Sequence, residues 1–246
     1  MKKDVGGKPQ KPRLALPRHT LPLMVVTWAW QLCAFYLPKL LMDGRPHHDL
    51  ATAADALVPL APATVVIYIA ALASWPFCYL YCAAQEKERA YRFLCAEFLA
   101  KLICMTCFFL LPTAIVRPEI TGSGFFNWLL RVVYWFDTPT NLFPSIHCLM
   151  NWLCYLGVRD APGAPRWAKA GMLVFALAVF VSVATVKQHF LVDVPAGVAT
   201  AQLCYALAGT RGVRRVYEKA ADKIVALAYP PRTCRRAGYE REESGR

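Results

Sequence analysis

Two of the five histidines lie where an ionisable side chain is costly, His147 and His189, each at one end of an apolar run. Ionisable groups at membrane depth are expensive and are usually functional. The segment Asn141-Leu-Phe-Pro144-Ser145-Ile-His147 leads into one such run. Pro144 stops any preceding helix, and Ser145 is a natural N-cap. The amides of a helix starting there favour an anion, with His147 in the first turn beside it. The second segment runs from Ser182 through Lys187-Gln188-His189 to Asp193. His189 and Asp193 are four apart and share a face if the segment is helical. A carboxylate so placed takes the proton of one ring nitrogen and leaves the other free as a nucleophile. Lys187 adds a cation two residues away, and Arg117-Pro118, ending the third apolar run, offers a side chain suited to bidentate phosphate binding. Alone, His189–Asp193 reads equally as a juxtamembrane histidine with a helix-stabilising aspartate, and Arg117 as an interfacial anchor. Together the six residues suit in-line phosphoryl transfer without a metal. His189 attacks phosphorus, and Arg117, Lys187, Ser145 and backbone amides hold the oxygens. His147 protonates the leaving oxygen and then activates the acceptor.

Such a set needs elements that bring distant segments to one depth. Hydrophobic residues make up 57% of the 246, charged residues only 18%, and mean hydropathy is +0.33. Apolar runs at roughly 21–42, 57–84, 93–116, 146–158, 168–187 and 190–209 reach or approach the ~20 residues that cross hydrocarbon, the fourth being short. The reading is therefore all-α: a polytopic membrane helical bundle of six transmembrane helices. It comprises a basic N-tail (1–20), a six-span catalytic domain (21–209) and a basic C-tail (210–246) that starts as a helix and ends disordered. Residues 125–136, FFNWLLRVVYWF, are aromatic and amphipathic and are expected along the interface. The first run is read as a retained span rather than a signal peptide.

The formal net charge is +12, and most of the 28 lysines and arginines fall in the two tails and the loops at 85–92 and 159–169. The positive-inside rule puts those segments in the cytoplasm and the ends carrying His147 and His189 outside. A basic chain also raises nucleic acid as a partner, but a tail that binds anionic lipid head groups explains the charge more simply. Other clusters carry less. His47 and His48 with Asp43 and Asp49 read as an exposed polar loop, and His19 belongs to the basic tail. Most of the ten cysteines lie in apolar runs and behave as small hydrophobes, including Cys104 and Cys107. Glu97 and Lys101 are expected to pair with each other near the inner interface. No zinc, EF-hand or glycine-rich phosphate motif is present, so neither metal nor cofactor is expected.

Pro144-Ser145-Ile146-His147 resembles the second signature, P-S-x-H, of the type-2 phosphatidic acid phosphatase superfamily. Lys187-Gln188-His189-Phe190-Leu191-Val192-Asp193 resembles its third signature, with the H-x-x-x-D core. The K-Q-H form looks closest to the branch related to inositol phosphorylceramide synthases. The resemblance implies a six-helix membrane fold, a metal-independent reaction and an outward-facing site. It implies His189 as nucleophile, His147 as acid/base, Asp193 as its orienting partner and Ser145 as a phosphate ligand. The chain departs from the first signature, K-x6-R-P, where Arg117-Pro118 match but Leu110 stands for the lysine. It departs again in the third, where Val183 replaces the arginine after Ser182. The expected function is that of a lipid phosphatase or phosphotransferase working through a phosphohistidine on a lipid phosphate in the membrane. Head-group transfer of the inositol phosphorylceramide synthase type, and an inactive scaffold or transporter of the same fold, are the alternatives. Oligomeric state is not legible.

Overall fold

The computed structural model describes residues 16–230. Most of the N-tail and the end of the C-tail, where disorder was expected, lie outside the described residues. Nine α-helices make up the described chain, with no β-strand among the described residues. They are α1 (Thr20–Leu41), α2 (Ala53–Leu57), α3 (Val65–Ala83, entered by a 3-10 turn at Pro62–Thr64), α4 (Lys87–Leu110), α5 (Phe125–Phe136), α6 (Ile146–Arg159), α7 (Arg166–Thr185), α8 (Asp193–Ala208) and α9 (Arg211–Ala228).

Four helical segments are long and apolar enough to cross a membrane: Thr20–Leu41, Pro62–Ala83, Lys87–Leu110 and Arg166–Thr185. They are compatible with an integral membrane protein. Their outward faces are apolar, with Val25, Leu40, Phe77 and Val174 well exposed, as a lipid-facing surface requires. α6 and α8 have 14 and 16 residues, below the usual span length. They pack against each other and against α4 at the centre of the bundle, α6 also against α3 and α7, and so rely least on lipid.

The third apolar run was expected to reach Arg117-Pro118, but α4 stops at Leu110. Pro112 explains the early stop: it has no N–H to continue the ladder and restricts the residue before it. The chain beyond runs extended. His48, Thr113–Ala114 and Thr140 meet in two isolated bridges, and Thr113 Oγ1 accepts from the amides of Leu142 and Phe143 at 2.9 and 3.2 Å. This lacing delivers the chain to the start of α6. It also uses the backbone of His48, in the loop read as exposed and polar.

Glu97 and Lys101 also differ from expectation. Both are fully buried in α4 rather than at an interface, and neither has a hydrogen-bond partner among the described residues. Helical spacing puts them on one face, but that face looks into the bundle.

Candidate active site

Five helices, α1, α3, α6, α7 and α8, come together at one pole of the bundle. Asn141 Nδ2 donates to the Phe35 carbonyl of α1 at 3.0 Å. Ser182 of α7 donates to the Thr64 carbonyl at the head of α3 at 2.7 Å. The Ser145 amide donates to the Asp193 carbonyl at 3.2 Å, tying the starts of α6 and α8 together. Gly197 makes that approach possible. A Cβ there would lie 2.5 Å from the Ser145 carbonyl oxygen and 3.2 Å from the Leu149 nitrogen, both backbone atoms that cannot swing aside. Gly197→Ala is therefore expected to push α8 off α6 and shift Asp193 relative to Ser145. Misplacements of this size cost on the order of 10²-fold in rate. Turnover measured beside the melting temperature checks this, and unchanged turnover would show that the close contact positions nothing.

At this pole His189 Nδ1 lies 3.1 Å from Asp193 Oδ2, and the same oxygen accepts from the Phe190 amide at 2.9 Å. The pairing is not made on a helical face. His189 lies in the turn between α7 and α8, and Asp193, the first residue of α8, reaches back to it. The carboxylate caps the turn and holds the imidazole with one side chain.

The His147 ring stands 5.6 Å from that of His189, centroid to centroid. It stacks on Tyr68 at 4.4 Å and tilts against Trp75 at 5.4 Å. Neither of its nitrogens has a hydrogen-bond partner among the described residues. Aromatic side chains hold the ring, and both of its nitrogens are buried. Tyr68 in turn donates to Asp137. Tyr68, Trp75 and Asp137 were not singled out from the sequence. The first two lie in an ordinary apolar run, and Asp137 follows the aromatic helix α5, so nothing local marks them.

Ser145 caps α6, its Oγ accepting from the Cys148 amide at 3.3 Å. Arg117 leaves the extended loop and stacks on Tyr134, its guanidinium carbon 4.6 Å from the ring centroid. It donates to the Tyr134 carbonyl at 3.0 Å and to the Gln188 side chain. Burial pulls its pKa below the ordinary value, and nearby Asp137 only partly opposes that. Lys187 points elsewhere. Its ammonium donates to the carbonyls of Asp55 and Val58 at 3.1 and 2.5 Å. These bonds brace a left-handed backbone conformation (φ 55°) that a non-glycine residue adopts at a cost. Asp55, missed from sequence, braces the same turn by accepting from the Leu191 amide at 2.7 Å. Burial would raise its pKa, but hydrogen bonds from Thr52 and Leu191 and the charge of Lys187 bring it below the usual carboxylate range. Its Thr52-x-x-Asp55 capping pattern was the available signal.

Two cavities meet at His189. One, of about 390 Å³, is lined by His147, His189, Gln188, Asp137 and the apolar and aromatic side chains of α1 and α3, among them Trp28, Leu32 and Trp75. The other, of about 380 Å³, lies across the turn and is lined by Arg117, Lys187, His189 and the loop around Asp55. Of the two positions where the chain departs from the expected signatures, one touches the site through its backbone: the Val183 carbonyl accepts from the Gln188 and His189 amides at 3.0 and 3.2 Å. Leu110 is 78% exposed at the end of α4, and Val183 is buried in an apolar cluster with Val65, Leu130 and Val179.

The family model described as the PAP2 superfamily matches residues 43–207. The chain belongs to that superfamily. PAP2 proteins in this sense are the type-2 phosphatidic acid phosphatase superfamily, and membership points to a phosphatase-type enzyme acting on phosphate esters. Comparison with curated proteins and with solved structures finds no match. The matched region of this PAP2 protein runs from the first loop through α8 and contains His147, His189, Asp193, Ser145, Lys187 and Arg117.

Proposed function

We propose that this PAP2 protein is an integral membrane, metal-independent phosphatase or phosphotransferase of lipid phosphates that works through a phosphohistidine on His189. The observation that carries the reading is the pair of cavities at one nucleophile. His189, oriented by Asp193, stands between a charged space lined by Arg117, Lys187, Asp49 and Asp55 and a space with aromatic and apolar walls that also holds His147. The ring nitrogen of His189 not held by Asp193 attacks phosphorus. The bond to the leaving oxygen breaks as protonated His147 gives that oxygen its proton. His147, now neutral, takes a proton from the acceptor hydroxyl, whose oxygen attacks phosphorus and breaks the P–N bond. The phosphoryl oxygens face Arg117 and the capped start of α6 at Ser145. Lys187 joins them by releasing the carbonyls it now holds. In the membrane, α6 and α8 complete six spans with both termini cytoplasmic and the site facing outward.

The aromatic and apolar wall of the first cavity favours head-group transfer as a second reading. An alcohol with a lipid tail is accommodated there beside His147, its tail against Trp28, Leu32, Leu72 and Trp75. The loss of two cationic positions at Leu110 and Val183 fits the inositol phosphorylceramide synthase-like branch on the same grounds.

The test uses purified protein in detergent with excess chelator. Phosphate release from a panel of lipid phosphates is expected if water is the acceptor. Formation of a transferred product from phospholipid donor plus lipid alcohol is expected if an alcohol is. Loss of activity in chelator would overturn the metal-free mechanism. Folded protein with neither activity would favour an inactive scaffold.

A further inference from the structure

At the pole opposite the catalytic residues, α9 carries a surface that the proposed reaction does not use. It packs on the first halves of α1 and α4. Arg214 pairs with Glu88 at 2.7 Å, and Asp222 pairs with Lys87 at 2.8 Å. Tyr91 also donates to Asp222 at 2.8 Å. Its other four cations, Arg211, Arg215, Lys219 and Lys223, are spaced four apart and all exposed, with no ion pair among the described residues. Each step of four turns a helix by only about 40°, so they form one slowly winding stripe. Beside it runs an apolar strip in which Val216 and Leu227 are 73% and 83% exposed. A groove of about 400 Å³ opens next to the strip, between α9, α1 and α4, walled by Leu23, Val26, Trp30, Phe98, Val216 and Ala220. Glu97 also lines it, its carboxyl buried in the bundle.

We propose that α9 and this groove form a binding site for an anionic phospholipid of the surrounding bilayer, distinct from the catalytic cavities. The stripe meets the head-group phosphate and the groove takes an acyl chain. Charge complementarity decides the head group: four exposed cations lie in line with no ion pair among the described residues, the α9 carboxylates Glu218 and Asp222 being paired with Arg214 and Lys87. The adjoining apolar strip and groove decide in favour of a lipid over a soluble anion. A free phosphate or a nucleic acid would leave Val216, Leu227 and the groove facing water.

Delipidated full-length protein is titrated by native mass spectrometry with phosphatidylglycerol and with phosphatidylcholine of the same chains. Inorganic phosphate and a short RNA serve as competitors. Each cation near a lipid phosphate contributes a factor of about five at low salt. Wild type is expected to prefer phosphatidylglycerol by about tenfold or more. The variant carrying Arg215→Gln, Lys219→Gln and Lys223→Gln is expected to lose that preference with an unchanged melting temperature. These side chains are exposed, and any phosphatidylglycerol held in the catalytic cavities is unaffected by them. Val216→Trp, which fills the groove, is expected to weaken both lipids. Equal affinity for the two lipids in wild type, or full preference in the triple variant, would overturn the proposal. So would displacement of the lipid by millimolar phosphate or by RNA, which would reassign the stripe to a soluble anion or to nucleic acid.

Discussion

Replacing His189 by alanine is expected to reduce turnover by a factor on the order of 10⁴ or more, because it removes the atom that we propose forms the covalent intermediate. The surrounding structure gives little reason for collapse. His189 lies in a turn rather than a helix, and the turn keeps its braces through Lys187, Asp55 and the Asp193–Phe190 bond. A companion change separates orientation from nucleophilicity. Asp193→Asn keeps an oxygen for both the Phe190 amide and His189 Nδ1 but removes the negative charge that strengthens its hold on the ring. A loss of about 10²-fold or more in rate is expected, with substrate affinity little altered. The measurement is single-turnover transfer of labelled phosphate from a lipid to protein. Normal labelling of folded His189→Ala protein would sink the phosphohistidine mechanism. An effect of Asp193→Asn on affinity alone would remove its orienting role.

The elements that position these groups were legible where apolar runs end abruptly. α1, α6 and α7 lie close to the expected runs, and α5 coincides with the aromatic stretch 125–136. Their limits are set by local chemistry, such as Ser145 as cap and Pro165 before α7. α4 was misjudged at both ends for one reason. A hydropathy window excludes its charged first turn, Lys87 to Arg92, although helix and membrane boundaries need not coincide. The same window runs past Pro112 because the residues after it are also apolar.

Side-chain direction was less legible, because it depends on which distant segment a residue meets. Lys187 looked like a phosphate ligand from its place beside His189, yet its ammonium finds the carbonyls of α2, a five-residue helix more than 100 residues earlier. Gln188 was given no role, yet it accepts from Arg117. Gly197 carried no signal within its own helix, and its meaning comes from the backbone of α6 pressed against it. The wall of the first cavity comes largely from α1 and α3, whose apolar sequences speak only of lipid until the bundle is assembled.

His147→Ala is expected to cut overall turnover by about 10²–10⁴-fold, the usual worth of a positioned acid–base group, but unevenly between the two half-reactions. A lipid ester with a poor leaving group needs a proton at departure, so formation of the phosphoenzyme should slow. An aryl phosphate leaves without one, so its first step should be nearly normal. The second step still needs the acceptor deprotonated, whatever the donor was. With the aryl substrate the variant should therefore give a burst of about one equivalent and then stall with phosphate on His189, stable in base and labile in acid. The geometry adds a sharper expectation. Because Tyr68 stacks on the ring, Trp75 tilts against it and no hydrogen bond to its nitrogens exists among the described residues, alanine leaves a slot beside aromatic side chains with nothing unpaired behind it. Free imidazole fits such a slot and should restore part of the second step, and widening the slot with Tyr68→Ala should abolish the rescue. A burst that fails with aryl and lipid substrates alike would instead make His147 a phosphate-binding group, whose loss weakens both half-reactions equally.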